Sequence, residues 1–204
     1  MSMKNKKIGI MGGTFNPIHY GHIALAKAAY EYCELDEVWF MPSGISYQKQ
    51  QQHVVSGTHR LQMTRLAIQD YPYFRCSDLE VSRQGYTYTA DTLRQLSDEY
   101  PQYEFYFIMG ADTLFGLPKW QKPEVIAALC TMIAVVRDDV DTIELQSQQK
   151  YLEKTLDAHI ILVPFKKVDI SSSGIRDMLK RHDSVAEMLP EQVLEYIRCN
   201  RLYL

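Results

Sequence analysis

The chain has 204 residues, 46% of them hydrophobic and 23% charged, with a formal net charge of -3 at pH 7. That is enough chain for one substantial core, so a single domain over 1–204 is the expected organisation. The weak negative charge excludes a general electrostatic grip on nucleic acid or on an anionic membrane surface. No apolar stretch approaches transmembrane length.

The N-terminal Lys4-Asn5-Lys6-Lys7 looks like the start of a signal peptide. The apolar run behind it breaks at Gly12-Gly13, too soon for an h-region, so a cytoplasmic location is expected. Cys33, Cys76, Cys130 and Cys199 have neither metal-ligand nor redox spacing and are expected to be buried free thiols. His53, His59, His159 and His182 have no Cys or carboxylate partner at ligand spacing, which leaves zinc unsupported.

A strand is expected over 7–11, closed by Gly12-Gly13, and a helix over 19–33. The run Glu37-Val-Trp-Phe-Met41 reads as the second strand. After it, 42–56 is polar and Gln-rich without a core face; it reads as a mobile loop, either a lid or a solvated, idle segment. Then follow a helix over 57–70, a strand over 73–80, a helix over 89–99, a strand over 104–109 and a helix over 121–128. The run 131–136 reads as a strand buried on both faces. A helix over 144–156, a strand over 159–163 and helices over 173–180 and 191–201 complete the chain. Strands alternating with helices predict an α/β fold, a single Rossmann-like domain with a mostly parallel sheet of about six strands and helices on both faces. Residues 170–204 form its helical C-terminal part.

The first chemical signal is Gly12-Gly13-Thr14-Phe15-Asn16-Pro17-Ile18-His19-Tyr20-Gly21-His22. Glycines after a strand let backbone N–H groups approach an anion, and the following helix start adds a favourable dipole. His19 and His22 stand three apart and would share one helix face. The alternative is a β–α turn in which His22 merely packs. G-x-G-x-x-G and Gly-Lys-Ser/Thr are both absent, which disfavours a dinucleotide-binding dehydrogenase or a P-loop ATPase. The second signal is Ile170-Ser171-Ser172-Ser173-Gly174-Ile175-Arg176. Its serines are suited to capping a helix. The same geometry offers hydroxyls and N–H groups to an anion, with the planar fork of Arg176 one turn further on.

Together these two segments resemble the signatures of the nucleotidylyltransferases related to class I tRNA synthetases. Tyr86-Thr87-Tyr88-Thr89-Ala90-Asp91-Thr92-Leu93, Phe107-Ile108-Met109-Gly110-Ala111-Asp112 and Leu117-Pro118-Lys119-Trp120 narrow the likeness. With Pro190-Glu191-Gln192-Val193, they make the chain similar to bacterial nicotinate-nucleotide adenylyltransferases over nearly its whole length. The resemblance implies ATP and nicotinate mononucleotide as partners, with deamido-NAD and pyrophosphate as products. Mg²⁺ would be the cofactor, held mainly by phosphates and water rather than by protein side chains. Gly12, Gly13, Thr14 and Phe15 would hold the nucleotide, and His19 and His22 its phosphates. Ser172, Ser173 and Arg176 would bind the leaving pyrophosphate, with His19, His22 and Arg176 as the catalytic set. Asp112 would contact ribose or orient a metal-bound water; its alternative is a helix N-cap. Trp120 would stack on the pyridine ring; its alternative is a core position. Thr87 would meet the nicotinate carboxylate, and Lys49 and Arg137 would lie near phosphate. Arg60 and Arg65 are assigned to a solvated helix face.

The chain departs from the family at two places. Asn16, which the resemblance places among the substrate-binding residues, stands where the family usually has Asp; this removes a possible charge near the metal and leaves the acid-to-amide preference open. Ser46-Tyr47-Gln48-Lys49 stands where relatives often show Pro-Pro-His-Lys, so only Lys49 carries over. Three other readings accompany the first: the same chemistry on nicotinamide mononucleotide, on another phosphorylated acceptor, or a catalytically silent nucleotide-binding paralogue. A homo-oligomer is compatible with the sequence.

Overall fold

The computed structural model describes residues 5–46, 54–137, 142–166 and 168–203. In chain order the elements begin with β1 (Lys6–Gly13), α1 (Tyr20–Tyr32), β2 (Glu37–Pro42), β3 (Ile45–Ser46) and α2 (Gly57–Ile68). Next come β4 (Phe74–Cys76), β5 (Tyr86–Thr87), α3 (Thr89–Glu99), β6 (Tyr103–Gly110) and α4 (Thr113–Gly116). A 3-10 turn at Leu117–Lys119 leads to α5 (Pro123–Leu129), β7 (Thr131–Arg137), α6 (Thr142–Leu156) and β8 (Ile160–Phe165). The chain closes with α7 (Ser172–Lys180) and α8 (Glu191–Cys199).

Six strands form the main sheet in the order β4-β2-β1-β6-β7-β8, and β3 and β5 form a separate two-stranded ribbon. The pairs β1–β6, β6–β7 and β7–β8 are parallel, as strands separated by helical crossovers must be. Met132, Ile133, Ala134 and Val135 in β7 are all buried, the continuous apolar run of a strand covered on both faces.

The chain divides into two compact units. The first comprises 1–11, 26–38 and 88–167; it holds most of the parallel sheet and α3 to α6. Its core is built from Ile8, Ile10, Phe107, Ile108, Leu114 and the buried run of β7. The second comprises 12–25, 39–87 and 168–204 and contains both phosphate-type motifs. There α2 packs on α8, and His59 Nδ1 meets the Tyr196 hydroxyl at 2.9 Å. Ser56 caps α2 by accepting the His59 N–H at 3.3 Å.

Three expectations are corrected. The strand expected over 73–80 ends at Cys76 because Ser77 starts a turn, its Oγ accepting the Leu79 N–H at 3.3 Å. The loop expected over 42–56 is structured at its ends. Ile45 and Ser46 pair in parallel with Tyr86 and Thr87, while 47–53, including Lys49, lie outside the described residues. The cysteines are all free, as expected, but only Cys130 is buried; Cys33 and Cys76 are half-buried and Cys199 is exposed. Burial pushes the Cys76 and Cys130 thiols up to about 12.

Candidate active site

The first motif is a tight turn at the end of β1, organised by Phe15. Its φ of 48° lies in the left-handed region, and its side chain is 2% exposed. The ring folds back over Gly13, where a Cβ would stand only 2.7 Å from Phe15 Cε1, so glycine is the residue that fits. The same ring meets His22 edge-on, with centroids 5.1 Å apart, and leans on Phe40 at 5.9 Å. A non-glycine residue held at positive φ is strained by roughly 1–3 kcal/mol, which this surrounding packing offsets.

His19 stands just before α1, and His22 lies three residues on, inside its first turn. His22 Nδ1 accepts the His19 N–H at 3.3 Å, the reach-back of a capping box performed by an imidazole. That bond requires a lone pair on Nδ1, so neutral His22 carries its proton on Nε2. The two rings lie 3.7 Å apart and tilted by 31°, on one face as the spacing predicts. His19 is 6% exposed, and burial lowers its pKa from 6.5 to about 4. Gly21 makes room for this ring, since a Cβ there would sit 3.0 Å from His19 Nδ1. Among the described residues, His19 Nδ1 and Ser43 Oγ are the buried side-chain polar atoms without a hydrogen-bond partner.

The second motif closes on the first. Arg176 Nη1 donates to the Asn16 carbonyl at 2.8 Å, and Ser172 Oγ donates to the Pro17 carbonyl at 2.8 Å. Ser171 is the N-cap of α7, its Oγ accepting the Gly174 N–H at 3.1 Å and lying 3.3 Å from Ser173 Oγ. The N–H groups of Ser172 and Ser173 belong to the first turn, where no intrahelical acceptor exists. Since Ser172 spends its hydroxyl proton on Pro17, its anion-binding capacity resides in the backbone N–H. Arg176 keeps further N–H groups of its fork for a ligand.

Asn16 is 5% exposed and turned into the protein. Its Oδ1 accepts from the Val55 N–H at 3.2 Å and from the Tyr203 hydroxyl at 2.8 Å. Burial pushes the Tyr203 hydroxyl above its ordinary pKa, against the opposing pull of nearby Arg176 and Arg60. The assignment of Arg60 to a solvated face is wrong. Arg60 is 3% exposed, donating through Nη1 to the Thr14 carbonyl at 2.9 Å and through Nε to the Val55 carbonyl at 3.2 Å. Arg65 does lie exposed, 3.9 Å from Asp78. One signal for Arg60 was present: it falls on the α2 stripe formed by the buried Met63, Thr64, Ala67 and Ile68. Beside this cluster lies a cavity of about 500 Å³, whose lining includes Thr14, Ser43, Val55, Arg60 and Arg83.

Gly12, Gly13, Thr14, Phe15, Asn16, His19, His22, Ser172, Ser173 and Arg176 therefore share the second unit. Thr87 is there too, buried in β5, its Cγ2 close against Gly44. In the first unit Asp112 is exposed at the start of α4 and makes no capping hydrogen bond to it. Trp120 is half-buried, its ring edge-to-face with Phe107 at 6.1 Å. Arg137 ends β7 with its backbone opposite Phe165; its side chain lies outside the described residues. No described helix is long and apolar enough to cross a membrane.

Comparison with known proteins locates this arrangement. The family model described as cytidylyltransferase-like matches residues 10–178. A protein of Lachnoclostridium phytofermentans, described as "Probable nicotinate-nucleotide adenylyltransferase", is 42% identical, covering 98% of this chain and 100% of its own. A Dehalococcoides mccartyi protein of the same description is also 42% identical, over 98% of each chain. Among solved structures, the Plasmodium falciparum nicotinic acid mononucleotide adenylyltransferase complexed with NaAD has a TM-score of 0.80 at 23% identity. It covers 97% of each chain, a likeness of fold.

Proposed function

The chain belongs to the nicotinate-nucleotide adenylyltransferase family, and on that premise we propose that it joins the AMP part of ATP to nicotinate mononucleotide, releasing pyrophosphate. One observation carries the reading: two segments some 160 residues apart in sequence are clasped by Arg176 on Asn16 and Ser172 on Pro17. The clasp sets an anion-binding helix start and a half-buried guanidinium against the turn that orients His22.

The reaction moves an adenylyl group between two anions. The mononucleotide 5′-phosphate oxygen bonds to the α-phosphorus of ATP, and the bond from that phosphorus to the β-phosphate oxygen breaks. No enzyme nucleophile is needed, so positioning and charge stabilisation carry the catalysis. His22 donates from Nε2 to a phosphate oxygen, its tautomer held by the His19 N–H. His19 adds a neutral, buried neighbour, its low pKa keeping positive charge away from the His22 ring. Arg176 and the first N–H groups of α7 take the leaving pyrophosphate. Gly12, Gly13, Thr14 and Phe15 supply backbone contact to the nucleotide.

Mg²⁺ would neutralise phosphate charge. Asp112, an exposed carboxylate not spent on capping its helix, has the oxygen chemistry to orient one of its waters. Trp120, half-buried, is assigned to the pyridine ring, Thr87 to the carboxylate, and Lys49 and Arg137 to phosphate. Asn16 is assigned to shaping the substrate side of the turn from beneath. Full-length matching to the curated relatives supports treating 1–204 as one functional unit. Four free thiols fit a cytoplasmic setting, and neither nucleic acid nor membrane is part of the reading.

The test is pyrophosphate release by the purified chain with ATP and each mononucleotide in turn. Release with nicotinate mononucleotide in clear excess over the amide form is expected. Preference for the amide would transfer the assignment to the other acceptor. Absence of release with either would favour a silent paralogue.

A further inference from the structure

We infer that Arg60 is a positioning residue for adenylyl transfer, aiming the backbone N–H of Phe15 at the nucleotide phosphates; this rests on the function proposed above. Arg60 is a buried cation whose hydrogen bonds go to main-chain carbonyls, Thr14 at 2.9 Å and Val55 at 3.2 Å, with Gly44 at the 3.5 Å limit. Burying a cation is costly; here the carbonyl dipoles and the attraction of the Glu80 carboxylate offset that cost in a fixed geometry. That geometry concerns one peptide plane. The Thr14–Phe15 peptide is trans, so its N–H points opposite to its C=O. With the Thr14 carbonyl held by Arg60, the Phe15 N–H is directed away from the guanidinium.

The rest of the turn is pinned in the same sense. The Asn16 carbonyl is taken by Arg176 and the Pro17 carbonyl by Ser172, so three side chains from two distant helices, α2 and α7, hold carbonyls 14, 16 and 17. Arg60 is the one of these that acts on the strained residue, since Phe15 has a φ of 48°. The planar fork also ties the turn to Val55, whose N–H holds Asn16 Oδ1. A lysine, as a point donor, cannot span both carbonyls.

The experiment compares wild type, Arg60→Lys and Arg60→Met by steady-state kinetics for each substrate, normalised to ATP-binding sites titrated in each preparation. Arg60→Met is expected to lower kcat by about tenfold to a hundredfold, the scale of a misplaced contact, and to raise the KM for ATP. The KM for the mononucleotide should stay within about twofold, and Arg60→Lys should recover part of the loss. A purely structural role would lower the titrated fraction while leaving kcat per site unchanged, and that result overturns the inference. If Arg60→Met does not fold, Arg60→Lys decides: wild-type kcat and KM there would equally overturn it. An inactive wild type would instead refute the proposed function, so the two failures are distinguishable.

Discussion

Acidification should destabilise this protein through one identifiable group, His19. Its ring is 6% exposed, its Nδ1 has no partner among the described residues, and burial lowers its pKa from 6.5 to about 4. As pH falls below 6.5 the unfolded chain takes up a proton on this side chain, while the folded chain stays neutral until about pH 4. Stability is therefore fully present above the unfolded value and is lost as pH falls towards the folded one. The full interval corresponds to about 3 kcal/mol, and about 2 kcal/mol of it is lost between about pH 7.5 and about pH 5. For a chain of this length that is a fall of roughly 4–8 °C in melting temperature. The assay is urea unfolding of wild type and His19→Gln at both pH values. The variant's absolute stability is immaterial; the difference in pH dependence isolates the imidazole. Wild type should lose about 2 kcal/mol more than the variant over this interval, and equal losses would refute the reasoning.

Three further outcomes follow from the site and its surroundings. His22→Ala should lower kcat by about a hundredfold or more with circular dichroism unchanged, because the proposed mechanism makes this half-buried ring a transition-state donor; near-normal turnover would remove His22 from the mechanism. Trp120→Ala should raise the KM for the mononucleotide about tenfold, the scale of one aromatic stacking contact, while the melting temperature falls only slightly; an unchanged KM with a collapsed melting temperature would make it a packing residue. Thiol titration near neutral pH should find Cys199 the fastest to react, because it is exposed, while burial holds Cys76 and Cys130 up at about 12; Cys199→Ser should abolish the fast phase.

Residues whose role is set by neighbours in sequence were legible before the structure. The β1 run, the two glycines, the histidine spacing and the serine cap of α7 are local patterns, and each appears where its period places it. The six main strands were legible for the same reason. What sequence did not reveal depends on contacts between remote positions. The helical period places Arg60 on the buried stripe of α2, but its partners, the Thr14 and Val55 carbonyls, are not recorded in that period. Tyr203 lies 187 residues from the Asn16 amide it holds, which no periodicity records. The β3–β5 ribbon is two residues per strand, too short to leave an alternating pattern. Asn16 changes most on seeing the fold. As a replacement for Asp it looked like a missing charge, whereas its side chain is a buried acceptor joining the turn to Val55 and Tyr203.

The central claim is attack by the mononucleotide phosphate on the α-phosphorus of ATP, and oxygen labelling tests it most directly. Nicotinate mononucleotide carrying ¹⁸O in its phosphate is incubated with ATP and the purified chain, and both products are weighed by mass spectrometry. All the label should appear in the dinucleotide, with unlabelled pyrophosphate formed in equal amount. Label in the pyrophosphate, or pyrophosphate formed without dinucleotide, would contradict the account.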